Sequence, residues 1–297
     1  MFAPTIDGFV FGADFGGDVE AFRFVDGEIR LSATLTVPIQ LSGLTTSPTR
    51  DRILVTVFEG SSTIYTTVDL ALDGAPFAQL GGVYVVGDHG FALSGSTFGV
   101  AGITSAYDTV FTVPGSAMTA MLTPAANSVP TVVGIRDGFV IVTATSAPSC
   151  DWRWLDSAGT PTGITRTDPF ECGFPGAWVD DTQDHALVIW SGGASLIARV
   201  MDLTNRVWLA PQQTIAAQNG QFDALYAPSR GWLVSINVQG VNPTVIIITP
   251  SGTIGPTLFT VPEPAGYVRL FTVAGRTYVM WMTSATMPLL HVQQLCV

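Results

Sequence analysis

The chain has 297 residues, 47% of them apolar and only 12% charged, and its 23 acids against 12 bases give a net charge of −11. All the bases are arginines, which excludes Schiff-base chemistry and a phosphate-loop lysine. The acidic balance argues against a duplex nucleic-acid ligand, which needs a clustered basic surface.

Taken from the N-terminus, Met1-Phe2-Ala3-Pro4-Thr5 offers no basic segment followed by an apolar core, so no signal peptide is visible, either because it was removed or because none was used. The run Val245 to Ile248 is only four residues, far from the ~20 that a membrane-crossing helix requires; no membrane span is expected. A strongly apolar segment then recurs behind a tight polar turn. It starts at Asp7-Gly8-Phe9, Asp51-Arg52-Ile53, His89-Gly90-Phe91, Asp137-Gly138-Phe139, Asp184-His185-Ala186, Arg230-Gly231-Trp232 and Gly275-Arg276-Thr277. The spacings are 44, 38, 48, 47, 46 and 45 residues.

A period near 45 is what four short strands need, so each unit reads as a small antiparallel sheet, and the chain as one all-β domain, a β-propeller over 1–297. Gly after Asp or Arg fits a tight hairpin turn with positive φ. A continuous apolar second strand fits burial on both faces, between neighbouring sheets. First strands are expected near Ala3, Ile39, Val83, Val132, Trp178, Leu225 and Val268, giving seven blades, with six or eight as the alternatives because the last unit supplies three strands by Cys296-Val297. The one helix candidate is Ser116 to Leu122, inside a long connection from Pro114 to Pro130.

Cys150 and Cys172 lie at equal distances from residue 161, in the turn-rich segment Ser157 to Gly163. A hairpin centred there would set Cys150 opposite Cys172, within reach of a disulfide, and Trp152 opposite Phe170. A disulfide implies an oxidising compartment. Cys296 reads as core.

Candidate binding residues come from the face carrying the second-to-third-strand connections and the links between sheets. Most of these loops are short and small: Glu59 to Ser62, Ser94 to Ser96, Ser191 to Gly193 and Gln239 to Pro243. The links flanking the fourth unit differ. Met118 and Met121 lie in one and Phe174 and Trp178 in the other; with Trp152 and Phe170 they make a candidate aromatic patch.

The acidic clusters Asp14 to Glu20 and Asp180 to Asp184 lack the spacing of a calcium loop. His89 and His185 occupy equivalent turns of different units, which a repeat architecture holds apart, and no nucleophile-elbow pattern occurs. No metal site and no cofactor are expected.

The stretch His185-Ala186-Leu187-Val188-Ile189-Trp190, followed by Ile197-Ala198-Arg199-Val200-Met201-Asp202, resembles the propeller repeats of uncharacterised bacterial surface proteins. Those repeats run an apolar strand ending in Trp, a strand ending in Asp, then a Gly turn, where Asn205 stands here. The resemblance implies a propeller and an extracellular tendency, and no activity.

The function expected is a non-catalytic recognition or scaffold propeller with protein partners in a surface or virion-type assembly. It would lie at the cell surface, outside the cell or on a virion, with a cytoplasmic place as the alternative. The two alternative functions are a lectin-like domain binding glycan through aromatic side chains, and a hydrolase with dispersed carboxylates.

Overall fold

A computed structural model describes the strand backbone from residue 2 onward. Side chains are described for 92, 94, 97, 99–103, 108–113, 122, 130–145, 149–273, 275–283 and 289–296. By backbone contacts the chain divides into two compact units, Met1–Phe170 and Glu171–Val297.

The first unit holds four sheets. The first comprises β1 (Phe2–Pro4), β2 (Gly8–Gly12), β3 (Asp18–Val25) and β4 (Glu28–Thr36). The second comprises β5 (Leu41–Thr46), β6 (Arg52–Glu59), β7 (Ile64–Ala71) and β8 (Ala78–Tyr84). The third is β9 (Val86–Ser94), β10 (Thr97–Ile103), β11 (Thr109–Thr112) and β12 (Thr119–Thr123). The fourth is β13 (Thr131–Ile135), β14 (Gly138–Ala144), β15 (Cys150–Asp156) and β16 (Pro161–Asp168).

The second unit holds three. The fifth sheet has β17 (Gly173–Val179), β18 (His185–Gly192), β19 (Ser195–Asp202), then β20 (Val207–Trp208) and β21 (Gln213–Ala216), both on β19. The sixth has β22 (Gln221–Ala227), β23 (Gly231–Asn237), β24 (Thr244–Ile248) and β25 (Ile254–Thr260). The seventh has β26 (Ala265–Val273), β27 (Arg276–Thr283) and β28 (Leu290–Leu295). Within every sheet the strands lie in chain order and pair antiparallel. The described residues contain no helix.

The apolar second strands behave as their composition demands. All seven residues of β14 are buried, and so are six of the seven in β23. Alternation sends their side chains to opposite neighbours. Trp232, Val234 and Ile236 pack with Leu187, Ile189 and Val200 of the fifth sheet, whereas Leu233 packs with Val268, Val279 and Trp281 of the seventh. In the first unit Phe139 and Ile141 join Ala101 and Phe111 of the third sheet. The core is therefore a set of apolar layers between successive sheets, each large side chain contributing about 1.5–3 kcal/mol of burial.

The repeated turn is fixed by glycine at the head of the second strand. Gly138 has φ +154°, and a Cβ there would lie 2.0 Å from Leu155 O. Gly231, at the equivalent point, has φ +100°, and its Cβ would meet Ile248 O at 2.4 Å. Any side chain would collide with the third strand's backbone.

Within each unit the first strands of successive sheets adjoin, and in the second unit Asp223 ties three of them. Its Oδ2 accepts the Leu270 N–H of β26 at 2.9 Å, and its carboxylate also accepts a side-chain hydrogen bond from Trp178 of β17. Burial pushes the Asp223 carboxyl above its ordinary range, against the pull of Arg269 and of these hydrogen bonds.

Four expectations are corrected. The third sheet opens differently: Asp88-His89-Gly90 is no turn but lies within β9, which runs through with a register shift against β10. The segment at Val83 is the last strand of the second sheet, not a first strand. The helix expected over Ser116 to Leu122 gives way to β12, paired to β11 through Phe111↔Ala120 and Val110↔Met121, which also divides the long connection. Lastly, β15 and β16 pair as Cys150↔Asp168 and Trp152↔Arg166, so Phe170 does not face Trp152. The turn closes earlier because Asp156 Oδ1 accepts the N–H groups of Ala158 and Thr160 at 2.9 and 2.8 Å. Pro161 to Gly163 are thereby released into the strand. The first strand expected near Ile39 is β5, which begins at Leu41; Ile39 itself lies outside the described residues.

Candidate functional site

Strand order gives each sheet two ends: a turn end, between first and second strands, and a loop end, between second and third strands and at the links to the next sheet. In the second unit the two ends have opposite chemistry.

At the turn end of the fifth sheet the polar groups are consumed internally. Asp180 Oδ2 lies 2.9 Å from His185 Nδ1. Its Oδ1 accepts Thr182 Oγ1–H at 3.0 Å and the Asp184 N–H at 3.1 Å. Burial pushes Asp180 up, but the hydrogen bonds from His185 and Thr182 outweigh it and hold the carboxyl below its ordinary value. Asp202, across from His185, is also lowered: slight burial raises it, and more than compensating are the Asn205 N–H at 2.7 Å and Asn205 Nδ2 at 2.8 Å. The Asp180 to Asp184 cluster is a self-satisfied turn.

The loop end is built from small and apolar residues. A register shift between Gly173 and Gly176 bulges the start of β17, and a bulge re-aims side chains. Phe174, with φ +46°, is thrown outward and is 67% exposed. In the sixth sheet residues 238–243 join β23 to β24, closed by the Val241 N–H donating to Val238 O at 3.1 Å. This loop stands as a ridge with Val241 on its crest, 56% exposed.

A hollow lies on either side of the ridge. One, of about 310 Å³, is lined by Ile215, Ala216 and Gln218 against Ile236, Val238 and Val241. The other, of about 500 Å³, runs between Asn219-Gly220-Gln221 and Pro264-Ala265-Gly266, with Val238 to Val241 beside them. Asn219 Nδ2 donates to Gly193 O at 2.7 Å and Asn237 Nδ2 to Ala265 O at 3.0 Å, holding the loop end of each sheet to the next. No charged side chain lines either hollow; their polar groups are amides, backbone and the Thr244 hydroxyl. Such walls bind by shape, apolar contact and neutral hydrogen bonds.

In the seventh sheet Leu289 and Leu290, which open β28 at the same end, are 61% and 41% exposed. Six large apolar side chains are exposed among the described residues, and four of them, Phe174, Val241, Leu289 and Leu290, share this loop end.

The structure disperses the residues that the sequence singled out. Trp152 is fully buried, its Nε1 donating to Asp168 Oδ2 at 3.0 Å. Asp168 also takes Arg166 Nη2 at 2.6 Å. Phe170 is half-buried. Trp178 is half-buried and edge-on to Phe222, with ring centroids 6.0 Å apart. Met118 and the side chain of Met121 lie outside the described residues, as does most of the Asp14 to Glu20 cluster. Phe174 alone of the described candidates stands well exposed.

Cys150 and Cys172 are disulfide-bonded, and Cys296, expected in the core, is free and exposed. The pair does not form across the hairpin register expected for it: Cys150 faces Asp168, and Cys172 lies in the link beyond β16. Val241, Leu289 and Leu290 were missed. The available signal was an apolar residue at a loop tip flanked by Gly and Asn.

No family model matches the chain, and no curated protein matches it. Solved structures do. A chain of the mitotic checkpoint complex, a WD40 propeller, aligns over 100% of this chain and 90% of its own, with TM-score 0.63 and 10% identity. A structure from a study of two prolyl endopeptidases, matched through its propeller domain, aligns over 96% of this chain with TM-score 0.59 and 9% identity. This chain spans 46% of that one. Identities this low carry the fold alone: the chain is a β-propeller of antiparallel, mostly four-stranded sheets.

Proposed function

We propose that this propeller is a non-catalytic recognition module that binds a protein partner through the loop end of its second unit, as a subunit of a surface or virion-type assembly. The observation that carries this reading is that Phe174, Val241, Leu289 and Leu290 are all exposed at the same end of three successive sheets, where Val241 lines two uncharged hollows. Exposed apolar side chains gathered this way mark contact surfaces. Amide groups on the walls suit neutral hydrogen bonds to a polypeptide. The checkpoint-complex neighbour is itself part of a protein assembly, which agrees with this use of the fold. The disulfide supports an oxidising location, outside the cell or on a particle surface. A glycan ligand loses support because Trp152, the first aromatic candidate, is buried and hydrogen-bonded.

The test is recovery of bound proteins from native material by wild type and by the Phe174→Ser/Val241→Asp double variant. The reading expects a defined partner with wild type and at least a tenfold loss with the variant, whose thermal midpoint is unchanged. Equal recovery by both would refute it.

A further inference from the structure

One strand edge in the second unit departs from a rule that the rest of the molecule obeys. In every sheet the second and third strands pair without a register shift. In every sheet with more than three strands an outer strand pairs irregularly with the third, although the two-residue β20 meets β19 in register. Shifts occur at Ala21/Phe22, Thr67/Val68, Thr109/Val110, Arg153/Leu155 and Leu196/Ile197, and twice between β24 and β25. Prolines reinforce this: Pro161 opens β16, Pro256 lies in β25, and Pro211 lies between β20 and β21. Bulges and prolines are how outer edges are kept from pairing further.

The β28 strand has none of these devices. It pairs with β27 in unbroken register from Thr277↔Leu295 to Met282↔Leu290. Its sequence, Leu290-His291-Val292-Gln293-Gln294-Leu295, contains no proline, glycine, lysine or carboxylate. It is built as a third strand, yet among the described strands nothing pairs with its outer side. The equivalent strand β24 has β25 paired along its outer edge, and its Val245, Ile246, Ile247 and Ile248 are all buried between the fifth and seventh sheets. On β28, His291 and Val292 are half-buried and Gln293 and Gln294 exposed. Every other described strand already belongs to a sheet of its own.

We infer that the β28 edge is a homotypic interface, covered by the β28 strand of a second copy of this chain running antiparallel to it. Each copy carries the same open edge, so one two-fold contact satisfies both and closes the assembly. The antiparallel sense is that of every strand pair in the molecule. The strand itself carries no carboxylate, and Glu263 beside it is engaged by its own chain, 3.5 Å from His291 Nε2 and accepting Trp281 Nε1–H at 3.2 Å, so two chains of net charge −11 meet along a strand with no acid of its own. Antiparallel alignment also lays the exposed Leu289 and Leu290 of one copy toward the Leu295 end of the other. A seam of one short strand is small, so the dimer is weak and concentration-dependent. This inference shares Leu289 and Leu290 with the loop-end reading and is separable from it at Phe174 and Val241, which lie in the fifth and sixth sheets.

The test is the mass of the full chain by light scattering, from low to high micromolar concentration. Wild type is expected to rise from 31.3 kDa toward twice that value. Neighbouring residues of a strand point their N–H groups to opposite sides. Of Val292→Pro and Gln293→Pro, one therefore removes an outward donor and keeps the fold, while the other breaks the β27 ladder. The folded variant, and Gln293→Lys, which puts a charge on the seam without altering the backbone, should stay at the mass of one chain with an unchanged thermal midpoint. Wild type at the mass of one chain throughout, or doubling that survives both variants, would overturn the inference. So would a fourth strand contributed only by a different protein. The Phe174→Ser/Val241→Asp variant should dimerise as wild type does, so the two readings fail separately.

Discussion

The turn end and the loop end of the second unit are made by the same three sheets, yet one is polar and finished while the other is apolar and unfinished. At the turn end Asp180, Thr182, Asp184, His185, Asp202 and Asn205 spend their donors and acceptors on one another. At the loop end four large apolar side chains face outward beside hollows that hold no charge. The contrast separates two demands on a repeat. Turn residues must close a hairpin, and their chemistry is used up in doing so. Loop residues are held in place by Asn219 and Asn237, whose amides bond neighbouring backbone, leaving the remaining side chains free for contact.

The contrast can be broken first at glycine. Gly231→Ala at the turn end combines positive φ with a collision against Ile248 O, and should cost about 3 kcal/mol in urea unfolding. Gly240→Ala at the loop end has φ +79° but open space around its Cβ, so only the left-handed backbone penalty of about 1 kcal/mol is expected. Equal losses would mean that the two ends are under the same constraint.

Asp180→Ala tests the polar network, with an expected loss of about 1 kcal/mol at neutral pH. Asp180 titrates below its unfolded value of 3.8. The stability it contributes is therefore present above that value and is lost as pH falls through the lower, folded one. Wild type and variant should converge in acid. A gap that stays constant down to the lowest pH at which both remain folded would show that the charge of Asp180 plays no part. The smallest stability effect is expected at the loop end, where Phe174→Ser and Val241→Asp should stay within about 0.5 kcal/mol of wild type, while partner binding is lost.

Much of this fold was legible because each second strand pairs a turn signal with an apolar run buried on both faces; Gly138, His185 and Gly231 open strands where the pattern puts them. The third sheet was not, because His89-Gly90 carries the same signal inside a strand, where a register shift absorbs it. The Cys150 hairpin was misregistered because Asp156 captures two amides and closes the turn ahead of Pro161. At the site, Phe174 was legible as an aromatic beside Gly and Pro in a link between sheets. Trp152 read the same way and proved to be core, since pattern alone does not tell an indole hydrogen-bonded beneath Arg166 from one facing out. Val241 was passed over because its loop is short; its prominence comes from the hollows on either side, which belong to neighbouring sheets and leave no trace in local sequence.

The central claim is that the loop end of the second unit is the contact surface, and hydrogen-exchange mass spectrometry of the chain, free and bound to its native partner, tests it most directly. The account predicts that binding slows exchange at residues 171–174, 217–221, 238–243 and 262–266, with the turn end at 180–185, 203–206 and 228–230 left unchanged. Contacts concentrated at the turn end, with 238–243 unprotected, would contradict it.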